Sequence, residues 1–311
     1  MGKFIVIKKT FVFLIGLLGS LGVGLFQRGY ILPKQSFCFK NKPYTTNSIG
    51  CYVINLDRSP GRIKAISILL AQLNLPVHRV IAVDGKKNPE ILQDPQLVDL
   101  HTYAHLLKGK RPGSGEAACY LSHVKALKTF LESSYEFGFI FEDDVSFDPE
   151  VLQGILPGLT QKKELWDVCS LQLNRQQKGG PLKITSLGSY ELCFYRIQTW
   201  CAGAYLVNRA AAHSLVHKAF PMKLPWDLYY LRFWEFKGQN ERMLRFTGIE
   251  PRLVHQTYGD SEIENSDQRY KTDKQATYWS WIRLKGRLFT LSTNILHYCW
   301  TWWVYLTSEK K

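Results

Sequence analysis

The sequence is short of acid. Its 311 residues carry 26 Asp and Glu against 40 Lys and Arg, a net charge of +14. So basic a balance suits nucleic acid, an anionic membrane surface or an anionic substrate. No nucleic-acid reader motif accompanies it, which sets the first partner aside. No CxxC pair occurs, and the seven cysteines are an odd number. Cys38, Cys51, Cys119, Cys169, Cys193, Cys201 and Cys299 sit mostly in apolar runs. They read as buried reduced thiols rather than a disulfide framework or a zinc site, with a Cys193–Cys201 bridge as the minority reading. There is no GxxxxGKS or GxxxxGKT phosphate loop, no internal repeat and no low-complexity tract. Hydrophobic residues make up 45% of the chain, which excludes disorder for its bulk. The length allows one large domain or two modest ones.

Both ends are unusual. Phe11 to Phe26 is a run of 16 uncharged residues preceded by Lys8-Lys9, with five glycines inside or beside it. That is a little short for a full span, and no small-x-small cleavage site follows. An uncleaved signal-anchor over residues 1–30 is expected, with a buried N-terminal helix as the alternative. At the other end, residues 266–311 are aromatic and basic. Trp279, Trp281, Tyr298, Trp300, Trp302, Trp303 and Tyr305 are interspersed with Arg283, Lys285 and Arg287. Rings and cations together suit an anionic bilayer surface. The other reading is a C-terminal helix packing its aromatics on the core.

Between the ends, residues 48–265 read as one α/β domain. Cys51 to Leu56 is a buried strand, and Pro60 suits the first turn of a helix. Ile63, Ile66, Leu70 and Leu73 share one helical face. A second strand, Val77 to Val83, ends in Asp84-Gly85. This strand–helix–strand unit implies a parallel pair. Lys86 to Gly113 is polar and broken, an expected loop or insertion. A helix over Glu116 to Leu131 precedes the apolar strand Phe137 to Phe141. Trp166 to Leu173 and Trp200 to Val207 are further strands, and Asn208 is a fair N-cap for a helix from Arg209 to Phe220. The alternation points to an α/β fold with a mostly parallel sheet.

The apolar strand runs directly into Glu142-Asp143-Asp144. Adjacent carboxylates repel one another, and a divalent cation offsets that cost. Mg2+ and Mn2+ take hard oxygen ligands, often one or two carboxylates plus substrate phosphates. In open α/β sheets ligands bind beyond the carboxyl ends of strands, which is where these acids stand. A metal there would neutralise charge on a leaving diphosphate. The other reading is a solvated acidic turn before Asp148-Pro149.

Three ordered stretches carry a resemblance. They are Val53-Ile-Asn-Leu-Asp-Arg-Ser-Pro-Gly-Arg62, Ala82-Val-Asp-Gly-Lys86, and Gly115-Glu-Ala-Ala-Cys-Tyr-Leu-Ser-His-Val-Lys-Ala126 leading to Phe141-Glu-Asp-Asp-Val145. Their order and spacing resemble glycosyltransferase family 25, which includes lipooligosaccharide and collagen galactosyltransferases. The resemblance spans roughly residues 51–263. It implies a GT-A-like nucleotide-diphospho-sugar fold, inversion at the anomeric carbon, a UDP-sugar donor with UDP-galactose foremost, and Mn2+ or Mg2+.

By position the resemblance puts Asn55, Arg58 and Arg62 near the nucleotide and Asp84 on uracil or ribose. Arginine suits phosphate, and a carboxylate accepts from ribose hydroxyls. The bland readings are a surface ion pair at Asp57-Arg58 and a plain turn at Asp84-Gly85. Ser122 and His123 match the family's Ser-His pair, and His123 is expected on the donor or beneath the metal. Glu116 favours the helix N-terminus and could meet sugar hydroxyls. Glu142, Asp143 and Asp144 are the expected metal acids, with His255 in Pro251-Arg-Leu-Val-His255-Gln256 as an additional ligand. Pro225-Trp-Asp227 resembles a Pro-x-Asp element, which makes Asp227 the expected general base. Its alternative role is a helix cap.

The expected activity is therefore inverting hexosyl transfer to a cell-surface glycan or glycolipid. The expected location is the cytoplasmic face of a bacterial inner membrane, with a type II protein and lumenal domain as the alternative. Two other readings stand beside it: a metal-dependent nucleotidyl- or phosphotransferase, and a catalytically silent glycan-binding protein of the same fold. Lys86 to Gly113 and Gln172 to Ser189 are the expected acceptor loops.

Overall fold

The computed structural model describes residues 48–173, 180–197, 199–257 and 276–307. The Phe11–Phe26 run, Cys38, Ser261 and Ile263 lie outside the described residues, as do the side chains of residues 276–280.

Strand β1 (Ile49–Asn55) is buried along its whole length. Helix α1 (Pro60–Ala71) starts on a proline and buries Ile66 and Leu70. Strand β2 (Val77–Ile81) then pairs with β1 in parallel. The expected polar insertion contains a 3-10 turn (Pro89–Gln93) and a short helix α2 (Leu100–Leu106), capped by Asp99. Helix α3 (Ser114–Glu132) leads to β3 (Phe137–Glu142), and β4 (Val145–Phe147) leads to α4 (Pro149–Gln161). Next come β5 (Val168–Ser170), β6 (Leu182–Leu187), β7 (Tyr190–Phe194) and β8 (Ala204–Asn208). Helix α5 (Arg209–His217) follows directly, with the Asn208 side chain accepting from the Ala211 N–H as its cap. A short helix α6 (Trp226–Tyr229), β9 (Phe246–Glu250), β10 (Val254–Gln256) and a long helix α7 (Ala276–Thr307) complete the order.

The central sheet has eight strands in the order β2-β1-β3-β8-β5-β9-β7-β6. The α/β class stands, but the sheet is mixed rather than mostly parallel. Parallel pairings join β1 to β2, β1 to β3 and β5 to β9, and the other four are antiparallel. The reason is that β8 enters between β3 and β5 in the opposite sense, and β6 and β7 form a hairpin at the edge.

Side chains alternate across the strands, as the two-residue period requires. Tyr52, Ile54 and Ile140 join a core that includes α3 and α5 residues such as Phe130 and Leu215. Cys51, Val53, Phe139 and Phe141 join a second core that includes Leu70 of α1 and Leu156 of α4. A fully buried Asp167 ties the far side together. It accepts from Asn208 Nδ2 at 2.8 Å and from the Arg245 N–H at 2.7 Å, and it is ion-paired with Arg242.

Helix α7 docks on this domain along one face. His297 Nε2 and Thr301 Oγ1 both donate to the Tyr195 carbonyl, at 2.8 and 3.0 Å. Arg232 donates to Thr293 Oγ1 at 3.1 Å. Phe289, Trp300 and Tyr305 pack on the core from this side, so the core-packing reading holds for one face of the helix, and the opposite face is exposed. The six described cysteines are all free, Cys193 and Cys201 included.

Candidate active site

The strand order sets the site. β1, β2 and β3 are parallel, so their carboxyl ends share one edge. Asn55, the residues after Ile81, and Glu142 all emerge there.

At the end of β3 the three acids have different surroundings. Asp143 is held by the protein itself. Asn55 Nδ2 donates to its Oδ2 at 2.6 Å, and Arg62 lies 3.4 Å from its Oδ1. Burial raises the Asp143 carboxyl, and the Asn55 and Arg62 contacts work against that. Asp144 is less well served. Gln256 Nε2 donates weakly to its Oδ2 at 3.3 Å, Arg62 stands 3.6 Å away, and its Oδ1 is buried without a partner. Burial pushes the Asp144 carboxyl up to about 6, with the charge of Glu142 adding to the effect. Glu142 is reached by His123 Nε2 at 3.1 Å and, at 4.0 Å, by the Cys119 thiol.

An unpartnered buried carboxylate oxygen next to a second carboxylate fits a divalent cation. Two donor sets share Glu142. One is outward and all-oxygen, Glu142 with Asp144. The other is Cys119, His123 and Glu142, whose donor atoms lie within 4.8 Å of one another. The oxygen pair fits Mn2+ or Mg2+ better, because those ions take hard ligands. Cys119 is also a poor donor where it stands. Burial pushes its thiol well up, and the charges of Glu142, Asp227, Glu116 and Asp144 push it further. The charges of all four carboxylates are felt at Cys119, and Glu142 is the one in contact with it.

Asp227 reaches this cluster by way of α6. Pro225 occupies the N-cap position of that helix without a side-chain cap bond, and Asp227 lies in its first turn, so Asp227 is not the cap residue. Trp226 stacks on the His123 ring with centroids 5.0 Å apart and planes at 4°. His123 Nδ1 faces the Tyr205 hydroxyl at 3.3 Å. His123 thus links the Glu142 carboxylate to the helix that carries Asp227.

Asp84 follows β2 and is pinned twice. The Ser122 hydroxyl accepts from the Val83 N–H at 2.9 Å and donates to the Ala118 carbonyl at 2.7 Å, which gives Ser122 a structural role. Gly85 runs against the start of α3, where a Cβ would come within 2.3 Å of the Ser114 carbonyl oxygen. Arg58 Nε donates to Asp84 Oδ2 at 2.8 Å. Burial works to raise Asp84, but the Lys86 N–H and Arg58 outweigh it and hold the carboxyl below its ordinary value. A cleft of about 500 Å³ opens beside it, lined in part by Asp57, Asp84, Lys87, Asn88 and Leu121. Glu116 accepts from the Tyr103 hydroxyl at 2.8 Å.

The structure therefore gathers Arg62, His123, Glu116, Glu142, Asp143, Asp144 and Asp227 at one edge, with Arg58 and Asp84 on the adjoining cleft. Two expectations change. Asn55 spends both ends of its amide on the protein, donating to Asp143 and accepting from Arg79 Nε at 3.0 Å. His255 lies on β10, where Gln256 is the residue that reaches Asp144. Neighbouring strand residues face opposite sides, which turns His255 from the side that Gln256 serves. Sequence reasoning also missed Cys119, Gln256 and Trp226 at the site. Cys119 and Trp226 were read within motifs but without roles, and Gln256 only as the neighbour of His255.

Acids at the carboxyl edge of an α/β sheet, with a cleft beside the first crossover, are the layout of a GT-A-like nucleotide-sugar transferase. The profile of glycosyltransferase family 25 (LPS biosynthesis protein) matches residues 48–230, more than half of the chain. The chain belongs to that family. It is 24% identical to procollagen galactosyltransferase 1 of Danio rerio over 269 residues, 79% of this chain and 43% of that protein. It is 26% identical to procollagen galactosyltransferase 2 of Homo sapiens over 266 residues, 78% of this chain and 42% of that one. The probable inactive glycosyltransferase 25 family member 3 of Rattus norvegicus is also 26% identical, over 71% of this chain and 41% of its own length. The chain spans less than half the length of these relatives.

Proposed function

We propose that this chain is an inverting hexosyltransferase that moves galactose from UDP-galactose to a cell-surface glycan or glycolipid such as lipooligosaccharide. One observation carries the reading. At the carboxyl end of β3, beside the Asp84 cleft, Glu142 and Asp144 stand together and Asp144 Oδ1 is buried without a partner. Glu142 and Asp144 would hold a divalent cation, Mn2+ or Mg2+, which when bound supplies Lewis-acid neutralisation of the departing diphosphate. Asp84 accepts from ribose or base in the cleft. Arg62, already facing Asp143 and Asp144, adds a fixed positive charge beside the phosphates. Asp227 takes the proton from the attacking acceptor hydroxyl, and the stack of Trp226 on His123 fixes the helix that carries it. Because the base and the metal acids act on different bonds, removing one leaves the other's function measurable.

The acceptor side is read from the stretch before β8. The Gly203 carbonyl accepts from the Glu142 N–H at 2.8 Å, and the Tyr230 hydroxyl donates to the Cys201 carbonyl at 2.5 Å. Cys201 is held at a φ of 78°, a conformation other residues than glycine rarely adopt. Trp200, 40% exposed, precedes it. An indole face suits the C–H face of a sugar ring, so Trp200 serves as the acceptor platform. The free thiols favour a cytosolic reaction over a lumenal one.

The test is a screen of nucleotide sugars with and without Mn2+, read as nucleotide release and as product mass on isolated glycolipid. Metal-dependent turnover with UDP-galactose is expected. Folded protein without turnover on any nucleotide sugar would instead favour a silent member, like the relatives named inactive.

A further inference from the structure

Helix α7 packs Phe289, Trp300 and Tyr305 on the core, yet its outward face is apolar too. An ordinary surface helix buries its apolar stripe and exposes its polar one. Here the buried face includes Gly286, Thr293, His297 and Thr301 beside Ile282 and Val304. The exposed face carries Trp281 at 67%, Leu288 at 56%, Leu291 at 57% and Leu306 at 58%, with Leu284, Ile295, Leu296 and Trp303 also exposed. At about 3.6 residues per turn these eight side chains fall within an arc of roughly 140° that faces away from the domain. The stripe from Trp281 to Trp303 is about 33 Å long at about 1.5 Å per residue. No other element of the described residues presents a comparable row.

The charges around the row are of one sign. Helix α7 contains no Asp or Glu, and its cations, Arg283, Lys285 and Arg287, are gathered in its first half. Lys285 and Arg287 lie at opposite edges of the apolar arc. A second copy of the helix would bring cations without acids to pair them, whereas paired helices use complementary flanking charges. An anionic bilayer complements both the leucines and the cations. Among the described residues no helix is long and apolar enough to cross a membrane, so α7 would lie on the surface. Its long cationic side chains can reach the headgroups while the leucines enter the acyl boundary.

We infer that the outward face of α7 is a membrane-docking surface for anionic phospholipid, with Trp281 and Trp303 inserted toward the acyl region. This inference does not depend on the proposed reaction.

The nine tryptophans give a direct test, because none lies in residues 1–47. Emission quenching therefore reports on residues beyond the N-terminal hydrophobic run. Full-length protein is mixed with vesicles of phosphatidylcholine and phosphatidylglycerol, with brominated phosphatidylcholine as quencher. Quenching is expected, and it should fall when phosphatidylglycerol is omitted or salt is raised. Trp281→Phe with Trp303→Phe should remove most of it. Leu284→Ser, Leu288→Ser and Leu291→Ser together should weaken it, with the melting profile checking that the exposed substitutions leave the fold intact. Quenching that is absent in wild type, or unchanged in the double Phe protein, overturns the inference. So does a triple Ser protein whose only change is from dimer to monomer, since that would assign the face to self-association.

Discussion

Replacing Asp144 with asparagine should stabilise the metal-free protein while abolishing its response to metal. Burial and the neighbouring Glu142 move this carboxyl from 3.8 to about 6. At about 1.4 kcal/mol for each tenfold change in proton affinity, keeping it ionised costs about 3 kcal/mol. The sign follows from the direction of the shift. The folded state binds the Asp144 proton more tightly than the unfolded chain does. The associated stability is fully present below the unfolded value and is lost as pH rises through about 6. At pH 8 the wild-type charge is therefore a burden unless a cation lies against it. Asparagine keeps the shape, can accept from Gln256 and can donate toward Glu142, but it carries no charge. In chelator at pH 8 the Asp144→Asn protein should melt higher by roughly 6–12 °C, taking about 2–4 °C per kcal/mol for a domain of this size. Near pH 4 the two proteins should melt together. Mn2+ should raise the wild-type melting temperature strongly at pH 8 and less at pH 5.5, and it should leave the variant nearly unchanged. Calorimetric scans at these pH values, with EDTA or with MnCl2, decide it. A variant no more stable than wild type at pH 8 in EDTA, or one that gains as much from Mn2+, would refute the assignment of a cation to Asp144.

The remaining predictions separate roles. Asp227→Asn should lower transfer by about 10²–10⁴-fold while leaving Mn2+ and donor affinity unchanged, as steady-state kinetics beside donor-binding calorimetry would show. Near-normal turnover would require another base. Trp200→Ala should raise the acceptor KM severalfold and leave the rate of donor hydrolysis in water unaltered; loss of both would mean the residue is structural. Asp167→Ala should cost about 3–5 kcal/mol in denaturant unfolding, because it strands Arg242 and removes the partners of Asn208 and Arg245. A loss under about 1 kcal/mol would show that the pair contributes only as an exposed one does.

Local pattern made the first half of the domain legible. The helical face of Ile66 and Leu70, the proline start of α1 and the apolar approach to Glu142 all depend on neighbours within a few residues. The acids could be placed at a strand end because an apolar run followed by charge has few other readings. What was not legible depends on partners far apart in the chain. Asn55 meets Asp143 across 88 positions, and Gln256 meets Asp144 across 112. The direction of β8 between β3 and β5 is likewise set by pairing and not by its own sequence. Helix α7 was legible only in part, for a different reason. Its aromatic and aliphatic residues run right round the helix, so periodicity alone could not say which face the domain would take.

The triplet at the end of β3 shows how its members divide the work. Successive residues leaving a strand point in different directions, so three adjacent acids cannot all face one ion. The middle one, Asp143, is taken up by Asn55 and by Arg62, both of which belong to the first strand–helix unit. That contact ties the loop after β1 to the loop after β3 and places Arg62 within 3.6 Å of Asp144 as well. The outer two, Glu142 and Asp144, keep oxygen atoms without a strong cationic partner, and it is between them that repulsion is felt most. An acidic turn with no ligand would have no reason to bury Asp144 Oδ1 unpaired while the middle acid is fully served. The arrangement fits the proposed site, in which one carboxylate braces the loop and two would remain for a cation. This is why the case for a metal rests on Asp144 and Glu142 rather than on the number of acids.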